Sequence, residues 1–253
     1  MYRAWQRDDA PPSRVKPFPL SLVGHVWNLA ESEASPVSLA AAQCLVLGFY
    51  FLLRPGEYLG TPTSSPTLFR LRDVQFWIGS RSLSVLACPD ADLLASTFVC
   101  LTFTNQKNGV RNETIGHGRS GHPTLCPVHC LALRVIALRQ GPVPDLDTPL
   151  NAAPVANRSV RYILAADLTN RIRAALVLHP HPGYTSADVS VRSARAGGAM
   201  ALLCGGIDGD RIRLIGRWRS DEMYRYLHVQ AAPVMTGLSA AMLRGGSFRL
   251  APG

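Results

Sequence analysis

Residues 38–57 read Ser-Leu-Ala-Ala-Ala-Gln-Cys-Leu-Val-Leu-Gly-Phe-Tyr-Phe-Leu-Leu-Arg-Pro-Gly-Glu. A nearly unbroken apolar run follows Ser35-Pro36 and stops at Arg54-Pro55-Gly56. Proline is tolerated in the first turn of a helix and breaks its interior. The run therefore predicts one buried helix over residues 38–53. It contains Gln43 and is shorter than the about 20 apolar residues that a membrane span needs. Its stop places an arginine, Arg54, and three residues later a carboxylate, Glu57, at the end of a buried helix. Taken alone, the two are a surface ion pair.

Working outward, residues 1–19 carry four prolines with mixed charges and read as an arm or linker. Residues 20–30 suit a helix. After the central run the pattern changes. Residues 73–78, 82–87 and 97–104 are rich in β-branched and aromatic residues and read as strands. Lys107-Asn108-Gly109 separates the third from a shorter strand over 110–115, and Asn-Gly there signals a hairpin. The chain then returns to helical patterning over 126–139, 160–178, 188–203, 208–215, 220–228 and 233–243. The expected fold class is α+β: a mainly helical domain with a small antiparallel three-stranded sheet.

Composition narrows the partner. The 253 residues are 47% hydrophobic, and 26 Lys and Arg outweigh 17 Asp and Glu, for a net charge of +9. An excess of basic charge favours a polyanion, of which nucleic acid is the commonest. A basic amphipathic helix that would argue for an anionic membrane surface is not evident. Six scattered cysteines, mostly within apolar segments, read as reduced and buried thiols of an intracellular protein. Met1 to Ala10 is mostly polar and does not read as a signal peptide.

Three further motifs accompany Arg54 and Glu57. The hairpin reads Gln106-Lys107-Asn108-Gly109-Val110-Arg111. A later helix holds Arg192-Ser193-Ala194-Arg195-Ala196-Gly197-Gly198-Ala199, with its arginines on one face and its glycines open to close backbone approach. The fourth is Gly216-Arg217-Trp218-Arg219-Ser220, with Tyr224-Arg225-Tyr226 after it. Singly, each has a plain structural reading: a solvated lysine, a solvated arginine face, a core tryptophan.

In order and spacing, these motifs resemble the tyrosine recombinase (phage-integrase-like) family over about residues 36–245. That family has Arg-x-x-Glu at a helix end, a lysine on a hairpin, a His-x-x-Arg box, and a Gly-His or Gly-Trp box about ten residues before a nucleophilic tyrosine. Arg54, Glu57, Lys107, Arg195 and Tyr226 stand at those places. Gly216 precedes Tyr226 by ten residues and Arg195 precedes it by 31. The Gly-Arg-Trp wording and the Arg-Ala-Gly-Gly-Ala run are most similar to mobile-element recombinases of the Crypton and DIRS/Ngaro kind. The resemblance implies an arm over 1–35 and a catalytic domain over 36–253. It also implies double-stranded DNA as partner, a tetramer on two DNA sites, no metal or cofactor, and a nuclear or nucleoid location.

The implied chemistry is metal-independent DNA cleavage and rejoining through a 3′-phosphotyrosyl link to Tyr226. Arg54 and Arg195 would clamp the phosphate, Lys107 would protonate the leaving 5′-oxygen, and Glu57 would orient the clamp. Arg111, His117 and Arg119 near the hairpin are further candidates for phosphate contact. The chain departs from the family in two places. Arg192 stands where the box has histidine, and a guanidinium cannot accept a proton. Arg217 follows the box glycine, with Trp218 one position later, so either could face the phosphate. Tyr224 is a second candidate nucleophile. These departures keep a non-catalytic DNA-binding module open as the alternative, with a type IB topoisomerase as a third possibility. Within the residues themselves, His117, His122, Cys126, His129 and Cys130 also have spacing compatible with zinc.

Overall fold

The computed structural model describes residues 16–104, 112–141, 144–155, 159–219, 232–236 and 238–245. Two helices open the fold, α1 (Leu20–Glu33) and α2 (Pro36–Tyr50). In α1 the buried residues are Leu22, Val23, Val26, Trp27 and Ala30, a single stripe at helical spacing. In α2 nearly every residue from Ala40 to Phe49 is buried, as an all-round apolar helix must be. Both belong to one hydrophobic core, which also takes in the sheet and the later helices.

A one-turn helix, α3 (Pro55–Tyr58), follows α2 directly. Next come β1 (Val74–Ile78), β2 (Arg81–Leu83), α4 (Asp90–Ala95), β3 (Phe98–Phe103) and β4 (Glu113–Gly118). The four strands form one antiparallel sheet in the order β2-β1-β3-β4. The remaining elements are α5 (Pro127–Arg139), β5 (Ala152–Val155), β6 (Ser159–Tyr162), α6 (Ala165–Leu178), α7 (Arg192–Cys204), α8 (Gly209–Gly216), α9 (Ala232–Met235) and α10 (Leu238–Gly245). The described chain is a mixed α+β fold, about half helical. Among the described residues no helix is long and apolar enough to cross a membrane.

The structure corrects the expected sheet of three strands. The segment expected as a short strand is a full fourth one, paired with β3 from Glu113 to Gly118. Gly116 makes this possible, because a Cβ there would collide with Phe98 and Cys100 across the pair. The strand expected over 82–87 ends at Leu83, since the backbone turns and the Cys88 N–H bonds the Ser84 carbonyl. Helix α4 is too short to show periodicity in sequence. Asp90 and Asp92 in its first turn favour its N-terminus. The helix expected from residue 160 begins at Ala165. Residues 159–162 instead pair with 152–155 as a separate hairpin, with Val160 opposite Pro154.

Candidate active site

The site is built around the chain reversal after α2. A helix leaves its last carbonyls without partners. Here Leu52 takes a left-handed conformation, φ 49°, and the Leu53 N–H reaches back to the Gly48 carbonyl at 3.0 Å. This closing bond usually accompanies glycine at the left-handed position. A leucine there costs roughly 1–2 kcal/mol. The turn is held by the side chains that surround it.

Arg195, on α7, donates Nη1 to the Leu52 carbonyl at 2.8 Å and Nη2 to the Gly216 carbonyl at 2.6 Å. Arg217 donates Nη1 to the carbonyls of Phe51 at 3.2 Å and Ile215 at 3.1 Å. Its Nη2 reaches the Leu52 carbonyl at 3.2 Å and Glu57 Oε2 at 3.3 Å. Both guanidiniums thus sit on the negative end of α2, where a cation is favoured. They are 4% and 5% exposed.

Glu57 is also buried and joins the first arginine to the last. Its Oε1 accepts from Arg54 Nη1 at 3.2 Å, and its Oε2 accepts from the Arg54 backbone N–H at 2.7 Å. It caps α3 and pairs with Arg217 across the site. Arg54 differs from the other two arginines, because its side chain remains 28% exposed. Burial pushes Arg217 down to about 10, with Glu57 and Glu113 acting against that and Arg54 with it, so it stays protonated at neutral pH.

Aromatic rings brace the guanidiniums. Trp218 lies under Arg195 with its ring centroid 4.3 Å from the guanidinium carbon, and Phe103 lies under Arg217 at 3.7 Å. Trp218 also packs with Leu52, Ala199 and Ile212 in a small separate apolar cluster. Gly216 is required there, because a Cβ would run into the indole. Gly197 and Gly198 seat α7 against the backbone of Phe18 and Phe49, and a Cβ on either would strike a carbonyl oxygen. The close approach expected of this glycine pair is what carries Arg195 to Leu52.

Of the residues singled out in the sequence, Arg54, Glu57, Arg195, Arg217 and Trp218 come together here. Arg192 lies exposed at the first position of α7. His117, on β4, turns inward. Its Nε2 lies 2.9 Å from the Tyr50 carbonyl, and since a carbonyl only accepts, that nitrogen carries the proton. Its ring packs edge-on against Phe51 at 4.7 Å, and burial pushes its pKa down. Arg119 donates to the carbonyls of Leu94 and Ser96 and so closes the end of α4. Lys107, Arg111, Tyr224 and Tyr226 lie outside the described residues.

The zinc-compatible residues are engaged separately. His122 Nδ1 accepts from the Leu125 N–H, Cys130 points to the Gln43 carbonyl, and His117 meets Tyr50. Among the described residues no three His, Cys, Asp or Glu side chains are disposed to hold a metal. Two participants were not legible in the sequence. Leu52 meets the guanidiniums through its backbone carbonyl, and Phe103 reads as an ordinary strand residue. What the site offers chemically is three guanidiniums around one turn, with one of them open to solvent. Compared with known proteins, the chain matches no protein-family model and no curated protein.

Proposed function

We propose that this chain is the catalytic domain of a tyrosine recombinase, a protein that cleaves and rejoins DNA through a 3′-phosphotyrosyl link. The observation that carries the reading is the meeting of Arg54, Glu57, Arg195 and the 216–218 box at one turn. They come from three separate segments of the chain, and they are the residues the resemblance marks out. The α+β layout, with a long buried helix leading into Arg54, accords with such a domain.

In this mechanism the Tyr226 oxygen attacks the scissile phosphorus and the bond to the 5′-oxygen breaks. The phosphotyrosyl ester keeps the bond energy for rejoining. Negative charge gathers on the non-bridging oxygens, where fixed guanidinium groups stabilise it. Lys107 supplies the proton to the leaving 5′-oxygen. The Arg192 guanidinium has donors and no acceptor, so the phenol proton passes to solvent. Four protomers on two duplexes is the assembly that the resemblance implies. Leu238, Met242 and Leu243 on α10, all exposed, offer apolar surface for it.

The test is covalent capture on nicked suicide duplex DNA. The wild-type chain and Tyr224→Phe are expected to form the adduct, and Tyr226→Phe is not. An adduct that persists in Tyr226→Phe refutes the assignment of the nucleophile. One observation favours a second reading, a DNA-binding module without chemistry: both η nitrogens of Arg195 already donate to backbone carbonyls. Salt-dependent DNA binding with no adduct under any condition would select that reading.

A further inference from the structure

Arg217 follows the box glycine, where a group facing phosphate would be expected, yet its side chain is only 1% exposed. Its Nη1 donates to the Phe51 and Ile215 carbonyls, and its Nη2 donates to the Leu52 carbonyl and Glu57. Phe103 covers one face of the guanidinium. A phosphate oxygen could reach it only by displacing these partners. Arg54 is the contrasting case: its side chain is 28% exposed and tied to the same carboxylate by one bond at 3.2 Å.

Glu57 is therefore one negative charge shared between a buried guanidinium and an accessible one. A carboxylate facing Arg54 alone would neutralise it and compete with any incoming anion. Divided between two cations, it orients Arg54 without cancelling it. We propose that Arg217 is a positioning residue: by sharing the Glu57 carboxylate it leaves the Arg54 guanidinium charged toward a DNA phosphate. This rests on the phosphate-binding part of the function proposed above. Arg217 acts through Glu57, and its own guanidinium does not touch DNA.

The test measures binding of the full chain to a mixed-sequence duplex oligonucleotide over a range of salt. Each phosphate contact adds about 0.9 to the slope of log affinity against log salt. Arg54→Ala is expected to weaken binding about tenfold and lower the slope by about one. Arg217→Met, which leaves Glu57 facing Arg54 alone, is expected to do the same. Adding Glu57→Gln to Arg217→Met removes the competing charge, and affinity and slope are expected to return to within about threefold of wild type. Arg217→Lys keeps the charge and is expected to keep the wild-type slope. Should Arg217→Met fail to fold, that lysine variant decides.

A folded Arg217→Met/Glu57→Gln variant as weak as Arg217→Met overturns the proposal, as does a lost slope unit in folded Arg217→Lys. If the wild-type chain binds no duplex, or Arg54→Ala changes nothing, the phosphate reading itself fails. If Arg54→Ala weakens binding but Glu57→Gln restores nothing, only the role of Arg217 fails.

Discussion

Arg195 and Arg217, on different segments, donate to the same acceptor, the carbonyl of Leu52, at 2.8 and 3.2 Å. Leu52 is left-handed, and its carbonyl, in the turn just after α2, carries partial negative charge of that helix end. Two cations on one oxygen repel each other. Arg217 gains the Glu57 carboxylate, and Arg195 gains the Gly216 carbonyl and the face of Trp218. The site is thus a set of mutually dependent contacts, and changing one member should disturb the rest.

The glycines of α7 provide the first check. Gly198→Ala pushes a methyl group into the Phe49 carbonyl, so α7 must move off α2. Overpacking of this kind costs about 1–3 kcal/mol. Gly24 lies in α1 with only ordinary contact to Leu125, so Gly24→Ala should stabilise by about 0.5–1 kcal/mol through helix propensity. Urea unfolding of both variants measures the contrast. Equal effects would mean that α7 does not sit this close to the Phe49 carbonyl.

Removing the floor beneath Arg195 is the second. Trp218→Ala is expected to cost about 3–5 kcal/mol, as large-to-small changes at buried aromatics do. Trp218→Phe keeps an aromatic face under the guanidinium and should recover at least half of that. Thermal unfolding reads the stability. Duplex binding by Trp218→Phe should stay close to wild type.

Arg134, on α5, is 1% exposed. It donates to Gln43 Oε1 at 3.0 Å and to the Ala152 carbonyl at 2.7 Å, two neutral acceptors. Burial pushes its pKa down. Arg134→Ala leaves those acceptors buried without a donor and opens a cavity, for a loss of about 3–5 kcal/mol. Arg134→Met paired with Gln43→Leu replaces two polar partners with apolar ones of similar size and should cost markedly less. Chemical unfolding that finds the double change as damaging as Arg134→Ala contradicts this account.

Acid should weaken the fold through its histidines. His25 and His179 stack with centroids 4.0 Å apart and planes 11° from parallel. Burial, then the charge of His179, lowers His25 below its ordinary 6.5. His117 and His129 are lowered as well, each chiefly by burial. The unfolded chain then binds more protons than the folded one, so stability rises with pH. The contribution is complete above the unfolded value of 6.5 and is lost as pH falls below it. Unfolding midpoints measured from about pH 8 to about pH 5 should fall, and His25→Asn should flatten part of that decline. An unchanged slope in His25→Asn removes His25 from the explanation.

The buried helix and its stop follow from residue order alone. Prolines at 36 and 55 bracket an apolar run, and α2 occupies that interval. From residue order follow also the sharing of one turn by Arg54 and Glu57, whose spacing forms a capping box, and the close approach of α7 through Gly197 and Gly198. The fourth strand and the second hairpin were harder to read, since short segments carry too few residues for a period to show. Which arginine faces solvent emerges from the packing of distant segments. Arg54, Arg195 and Arg217 are chemically alike. Their roles diverge because left-handed turns at Leu52 and Arg217, at positions with no glycine to announce them, bring backbone carbonyls to two of the guanidiniums and leave the third at the surface.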